Sequence, residues 1–130
     1  MSREVVLFIC THNAGRSQLG QGMLERIAGE RYAATSAGTK PSDAVGLEVR
    51  QALAEVGVDV GDRVPRALTA ELVAAADVVV TMKPGIELPT APRRLVSWSF
   101  PDPESWDLDG VRGLRDAIGA AVGGEFGTRT

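Results

Sequence analysis

The chain has little sulfur and little imidazole: one cysteine, Cys10, and one histidine, His12, in 130 residues. A single cysteine excludes an intramolecular disulfide and a zinc site of the multi-cysteine kind. A single histidine excludes a metal centre built from several imidazoles, so no metal site is expected. Apolar runs are short, none approaching the roughly 20 residues that a membrane-spanning helix needs. Met1 leads directly into a strand-like run, so neither a signal peptide nor a membrane partner is expected. No basic run or basic-aromatic patch is present and the formal net charge is −3, which argues against nucleic acid as a partner. Lysine is confined to Lys40 and Lys83, and arginine supplies the other basic residues. With abundant Ala, Val and Gly, this is the composition of a GC-rich coding sequence. The lone thiol fits a reducing, cytoplasmic compartment.

What is present is an alternation of apolar strands and amphipathic helices in one domain-sized chain. Glu4 to Ile9 reads as a buried strand, a continuous β-branched and aromatic run. A helix follows from Ser17, with Leu19, Met23 and Ile27 on one face; Gly20 and Gly22 make it depend on packing rather than propensity. Tyr32 to Ala37 is a second strand, closed by Gly38. Ser42 or Asp43 can cap a second helix carrying Val45, Val49, Leu53 and Val56, which Gly57 stops. Thr69 caps a short helix ending near Ala76. Asp77 opens a third strand, Val78 to Thr81, and Leu95 to Ser97 is a fourth. A last helix is expected from about Asp109 to Val122, with Val111, Leu114, Ile118 and Val122 inward, ended by Gly123-Gly124. Residues 1–124 thus form one domain, and the polar tail 125–130 is expected to fray. Alternating apolar strands and helices give a parallel sheet covered on both faces, an α/β class with three layers. Right-handed crossovers bring the loop after the first strand to the carboxyl edge, where such folds bind ligands.

That loop reads Cys10-Thr11-His12-Asn13-Ala14-Gly15-Arg16-Ser17. Backbone amides of Thr11 to Arg16, leading into a helix N-terminus, converge on an anion. Gly15 can take positive φ and let the backbone approach the ligand closely. Arg16 offers a planar fork matching two oxygens of a tetrahedral oxyanion. The same positive field would favour a thiolate at Cys10, and Ser17 is placed to donate its hydroxyl to it. Asn13 can bridge backbone groups and hold the loop open. A lone Cys-x5-Arg would ordinarily be a chance spacing with a structural cysteine; the strand before, the helix after, and the Asn, Gly and Ser between make it a catalytic anion-binding loop.

The segment Cys10 to Gln18 resembles the signature of the low-molecular-weight protein tyrosine phosphatase superfamily, and more closely its arsenate reductase branch. The resemblance continues through Ser36-Ala37-Gly38-Thr39-Lys40-Pro41, Ala54 to Asp59, Ala75 to Met82 and Pro101-Asp102-Pro103, covering nearly the whole chain. It implies a parallel sheet in the order 2-1-3-4. It also implies that Asp102, held between two prolines that restrict its backbone, is the general acid. Read without the resemblance, an Asp between two prolines is more often a turn residue than an acid, with Glu104, Asp107 and Asp109 as nearby competitors.

The departures are as informative as the matches. Thioredoxin-linked arsenate reductases carry two further cysteines after the segment matching Thr81-Met82; here Lys83-Pro84-Gly85-Ile86-Glu87-Leu88-Pro89 has no thiol. An internal cysteine cascade is impossible. The chain therefore resembles the single-cysteine arsenate-mycothiol transferases. For such an enzyme no tightly bound cofactor is expected. An external low-molecular-weight thiol, mycothiol by resemblance, acts as cosubstrate, with a mycoredoxin or glutaredoxin-type reductase as partner. The alternative is a phosphatase that hydrolyses aryl phosphates with the same Cys10, Arg16 and Asp102. Such enzymes follow Asp-Pro with an aromatic residue, where this chain has Glu104, although Trp98 or Trp106 could wall the pocket or pack against the last helix or the sheet edge. A non-catalytic oxyanion-binding module is a third reading.

Three smaller signals remain. His12 can steer a thiol or anion, or simply face solvent. Ser36 is read as a hydrogen-bond partner of Asn13. Arg93-Arg94 can attract an anionic thiol or form a solvated edge, and the proline-rich Lys83–Arg94 segment is read as a loop without an assigned role.

Overall fold

The computed structural model describes residues 3–127. Its elements in chain order are β1 (Glu4–Cys10), α1 (Arg16–Ala28), β2 (Tyr32–Gly38), α2 (Leu47–Ala54), α3 (Ala70–Ala75), β3 (Val78–Thr81), β4 (Leu95–Ser97) and α4 (Leu108–Phe126). The strands pair in parallel in the order β2-β1-β3-β4, as expected for this α/β class. β1 is central, and its pleat sorts its side chains onto two faces. Val6, Phe8 and Cys10 join the main core with residues of α1, α2 and α4. Leu7 and Ile9 point the other way, into a smaller core with Val73, Ala76 and Val79. That second face is covered by the short α3 and by the Lys83–Arg94 loop, which lays Ile86 and Leu88 against it. No helix among the described residues is long and apolar enough to cross a membrane.

The glycines of α1 have a packing reason. A Cβ at Gly20 would lie 2.6 Å from the Phe8 ring and one at Gly22 2.7 Å from Leu53, so their absence lets the helix close on β1 and α2. Thr69 caps α3 as expected, accepting from Leu72 N at 3.1 Å. Asp77 closes the start of β3, accepting from Val5 N through Oδ2 at 2.7 Å.

Two helix ends differ from the sequence reading. α2 begins at Leu47 with Gly46 before it and no side-chain cap, so neither Ser42 nor Asp43 is its cap. The reason is non-local: Thr39 N, Lys40 N, Ser42 N and Gly46 N donate to the carbonyls of Cys10, Thr11, His12 and Ala14. The segment is spent as a brace for the Cys10 loop before any helix can start. α4 begins at Leu108, capped by Asp107 Oδ1 accepting from Gly110 N at 2.9 Å, and runs through Gly123-Gly124 to Phe126. Phe126 is 1% exposed, stacks edge-on against Tyr32 at 5.2 Å, and its carbonyl accepts from Arg31 Nη2 at 2.9 Å. Burial of one aromatic ring outweighs the helix cost of two glycines. Glu125 and Phe126 are thus helical, and the last three residues of the expected tail lie outside the described residues.

Candidate active site

The site is built where β1 ends and α1 begins. Cys10 is the last residue of β1 and is 2% exposed. Its Sγ lies 2.9 Å from Ser17 Oγ in the first turn of α1 and accepts from Asn13 N at 3.3 Å. The loop turns at Asn13, whose φ of 53° is left-handed, a conformation that Asn tolerates better than most residues. The sequence reading gave that freedom to Gly15. Instead Gly15 has φ −131° and no left-handed geometry. It is small because a Cβ there would lie 2.8 Å from Pro103 Cγ. Gly15 is thus the seat for the Asp102 loop rather than the hinge of its own.

α1 starts without a side-chain cap, so its first-turn amides keep the donor capacity that an anion can use. Arg16 is buried to 7% exposure, with Nη1 donating to Phe100 O at 3.0 Å. Asp102 is reached from β4 through residues 98–101. Its Oδ1 accepts from Glu104 N at 3.0 Å, and Ser105, with φ 69°, completes the turn. Above Cys10 lies a cavity of about 220 Å³. Cys10, His12, Ala14, Gly15 and Arg16 line it from the loop, Asp102 and Pro103 from the facing loop, and Glu48 and Val49 from α2. Thr11 and Asn13 are not among its lining residues. Thr11 serves through its carbonyl, which accepts from Lys40 N at 2.8 Å.

His12 is half-buried and tied to the bracing segment. Its Nδ1 donates to Lys40 O at 3.1 Å while the residue lines the cavity, leaving Nε2 as the free nitrogen. Ser36 is not a partner of Asn13: its Oγ donates to Gln21 Oε1 at 2.6 Å. Asn13 Oδ1 instead accepts from Arg66 N at 3.0 Å, its Nδ2 donates to Ser17 Oγ at 2.7 Å, and its carbonyl accepts from Gln18 Nε2 at 3.0 Å. Contact between β2 and this network is made by Arg66, whose Nε donates to Ser36 O at 2.9 Å. Nothing in the sequence near Arg66 marks it for this place.

Both tryptophans lie off the cavity. Trp98 packs on Phe8 and edge-on against Phe100, and Trp106 is half-exposed beyond Ser105. No Phe, Tyr or Trp lines the cavity. Arg93 pairs with Asp77 and Arg94 with Glu125 at the amino end of β4. That is the opposite edge of the sheet, so the pair does not draw anions to Cys10. Among the described residues no cluster of His, Cys, Asp and Glu could hold a metal ion.

The chain is similar to known proteins in sequence and fold. Arsenate reductase 1 of Staphylococcus epidermidis is 30% identical, the match covering 94% of this chain and 95% of that protein. A putative arsenate reductase of Halobacterium salinarum is 33% identical over 85% of this chain and 82% of its own length. Among solved structures, the thioredoxin-dependent arsenate reductase of Corynebacterium glutamicum superimposes with a TM-score of 0.76 at 31% identity over 92% of this chain. This chain spans 60% of that longer one. Residues 5–93, from the first strand to just before the fourth and so including the whole Cys10 loop, match the family described as low molecular weight phosphotyrosine protein phosphatase, and to that family the chain belongs.

Proposed function

We propose that the chain is an arsenate reductase in which Cys10 takes up arsenate and an external thiol carries the arsenic away. The observation that carries this reading is the sole cysteine of the sequence, buried in a cavity that Arg16 and Asp102 also line and that, among the described residues, no Phe, Tyr or Trp ring walls. The similar arsenate reductases support it.

In the proposed sequence, the Arg16 side chain and the backbone amides of the cavity-lining His12, Ala14, Gly15 and Arg16 grip the oxyanion. The Cys10 thiolate attacks arsenic, an As–O bond breaks, and Asp102 gives its proton to the departing oxygen, which leaves as water. A low-molecular-weight thiolate then attacks arsenic, and the Cys10–As bond breaks to restore the Cys10 thiolate. A thiol of a mycoredoxin-type reductase next attacks the sulfur of the released conjugate. That S–As bond breaks with its electron pair on arsenic, so arsenate becomes arsenite while two thiols become one disulfide. We infer mycothiol as the cosubstrate: Glu48 and Glu104 line the cavity, and a sugar thiol without carboxylates passes them without repulsion. A free thiol suits a reducing cytoplasm, and we infer that compartment for this chemistry.

Membership of a phosphatase family sustains a second reading, hydrolysis of aryl phosphates through a phosphocysteine. One side-by-side assay separates the two. Arsenate with mycothiol and a mycoredoxin system should consume reducing equivalents, and Cys10→Ser should stop it. Aryl phosphate hydrolysis without thiol, together with no arsenate-dependent turnover with any thiol, would establish the phosphatase instead.

A further inference from the structure

Hydrogen-bond polarity fixes the direction of a chain of contacts that ends on Cys10 Sγ. A backbone N–H can only donate, so Arg66 N, 3.0 Å from Asn13 Oδ1, sets which end of that amide is oxygen. The Asn13 Nδ2 must then face Ser17, to which it donates at 2.7 Å. Ser17 Oγ, having accepted that hydrogen, keeps its own hydrogen for Cys10 Sγ, 2.9 Å away. With Asn13 N at 3.3 Å, the sulfur faces two donors, an arrangement that suits an acceptor-only thiolate. The chain is buried at Asn13, Ser17 and Cys10, which are 1%, 0% and 2% exposed, so water does not offer Ser17 an alternative partner.

The first link depends on where residue 66 sits; Gly38 N donates to Arg66 O and Leu68 N to Gly38 O, each at 2.9 Å, and side chains add to these backbone ties. Arg66 Nε donates to Ser36 O at 2.9 Å, tying the segment to β2 beside the loop. Arg63 adds a second tie, with Nη1 3.4 Å from Gln18 Oε1, while Gln18 Nε2 donates to Asn13 O. Arg50 Nη2 in turn donates to Arg63 O at 3.2 Å. Pro65, between the two arginines, restricts the backbone that presents the Arg66 amide.

We propose that Arg66 is a positioning residue for the nucleophile, orienting the Asn13 amide so that the Ser17 hydroxyl donates to Cys10. This rests on Cys10 as the nucleophile and holds whichever oxyanion it attacks. Cooperative alignment in a buried chain strengthens each bond and makes the last one sensitive to the first.

The test reads Cys10 directly, without arsenate. Iodoacetamide alkylation rate and thiolate ultraviolet absorbance, each against a Cys10→Ser blank, are measured at neutral pH with thermal unfolding as the folding control. Asn13→Asp keeps the acceptor for Arg66 and tolerates the left-handed backbone, but turns the Ser17 hydroxyl toward itself. Its alkylation rate should fall about tenfold, the scale of one lost hydrogen bond to a charged group. Arg66→Ala should lower both readouts by a few-fold with the unfolding midpoint nearly unchanged, and Arg66→Lys, which can still donate to Ser36 O, should restore them. Readouts in Arg66→Ala equal to the parent's, or losses only in proportion to unfolded protein, overturn the assignment. Failure of arsenate turnover with normal alkylation would count against the proposed reaction and leave the positioning role standing.

Discussion

Arg16 and Asp102 face each other across the cavity, Nη2 3.9 Å from Oδ2, one side chain 8% exposed and the other 46%. The distance is that of a loose pair, with both side chains on the cavity wall and the carboxylate the more exposed of the two. Replacing Asp102 by Asn should therefore have opposite effects on chemistry and binding. Turnover should fall by roughly 10²–10⁴-fold through loss of the proton donor. Inhibition by inorganic phosphate should tighten, since a negative charge beside the guanidinium is gone. Weaker phosphate inhibition in Asp102→Asn would show the carboxylate to be a structural support instead.

Arg16→Lys keeps the charge but gives up the two-pronged grip and the 3.0 Å bond to Phe100 O. Loss of a donor aimed at the transition state costs roughly 10²–10³-fold in kcat. Steady-state kinetics of the variant would show this directly, and an unchanged kcat would mean that the fork geometry is dispensable.

Gly15→Ala places a methyl group 2.8 Å from Pro103 Cγ. The Asp102 loop must yield, while the Cys10 loop amides keep their geometry. Expected is a loss of kcat with phosphate binding retained, measured by turnover and by phosphate protection of Cys10 from alkylation. Equal loss of both would mean that the Cys10 loop itself had moved.

Outside the cavity lining, α2 and α4 are joined by Glu55, the residue that follows α2. Hydrogen bonds from Arg112 at 2.6 Å and Arg115 at 2.8 Å, working against desolvation, hold its carboxyl down at about 2 instead of 4.5. A carboxyl lowered by folding stabilises the fold fully above its unfolded value and loses that contribution as pH falls through its folded one. The gap in thermal midpoint between the parent and Glu55→Gln should be widest near neutrality and close between about 4.5 and about 2. High salt should narrow it, because the group is largely solvated. A gap independent of pH would assign the effect to packing.

The end of α4 offers a stability test. Phe126→Ala should cost about 3–5 kcal/mol, as a fully buried aromatic does. Gly124 is exposed with nothing within 4 Å of a built Cβ, so Gly124→Ala should add about 0.5–1 kcal/mol. Chemical denaturation checks both, and a neutral Phe126→Ala would mean that the helix ends earlier in solution.

Legibility in the sequence followed the range of the interactions. The strands were readable because their apolar runs are local, and so was the Cys10-to-Ser17 loop, where nucleophile, guanidinium and hydroxyl lie within eight residues. The start of α2 was not, because four amides between Thr39 and Gly46 serve carbonyls in another loop. The end of α4 was not, because the Phe126 ring answers to Tyr32 and not to its glycine neighbours. Arg66 was hidden for the same reason, standing 53 residues from the Asn13 amide it faces.

The solitary burial of Cys10 also sets how the protein withstands oxidants. If peroxide reaches the sulfur, no second cysteine in the chain can condense with the sulfenic acid, so the chain has no internal disulfide in which to shelter it. Recovery falls to diffusible thiols entering by the same cavity, and further oxidation to the sulfinic state would be permanent. The working lifetime of the Cys10 thiol is thereby coupled to the thiols that surround the protein, independently of any arsenic.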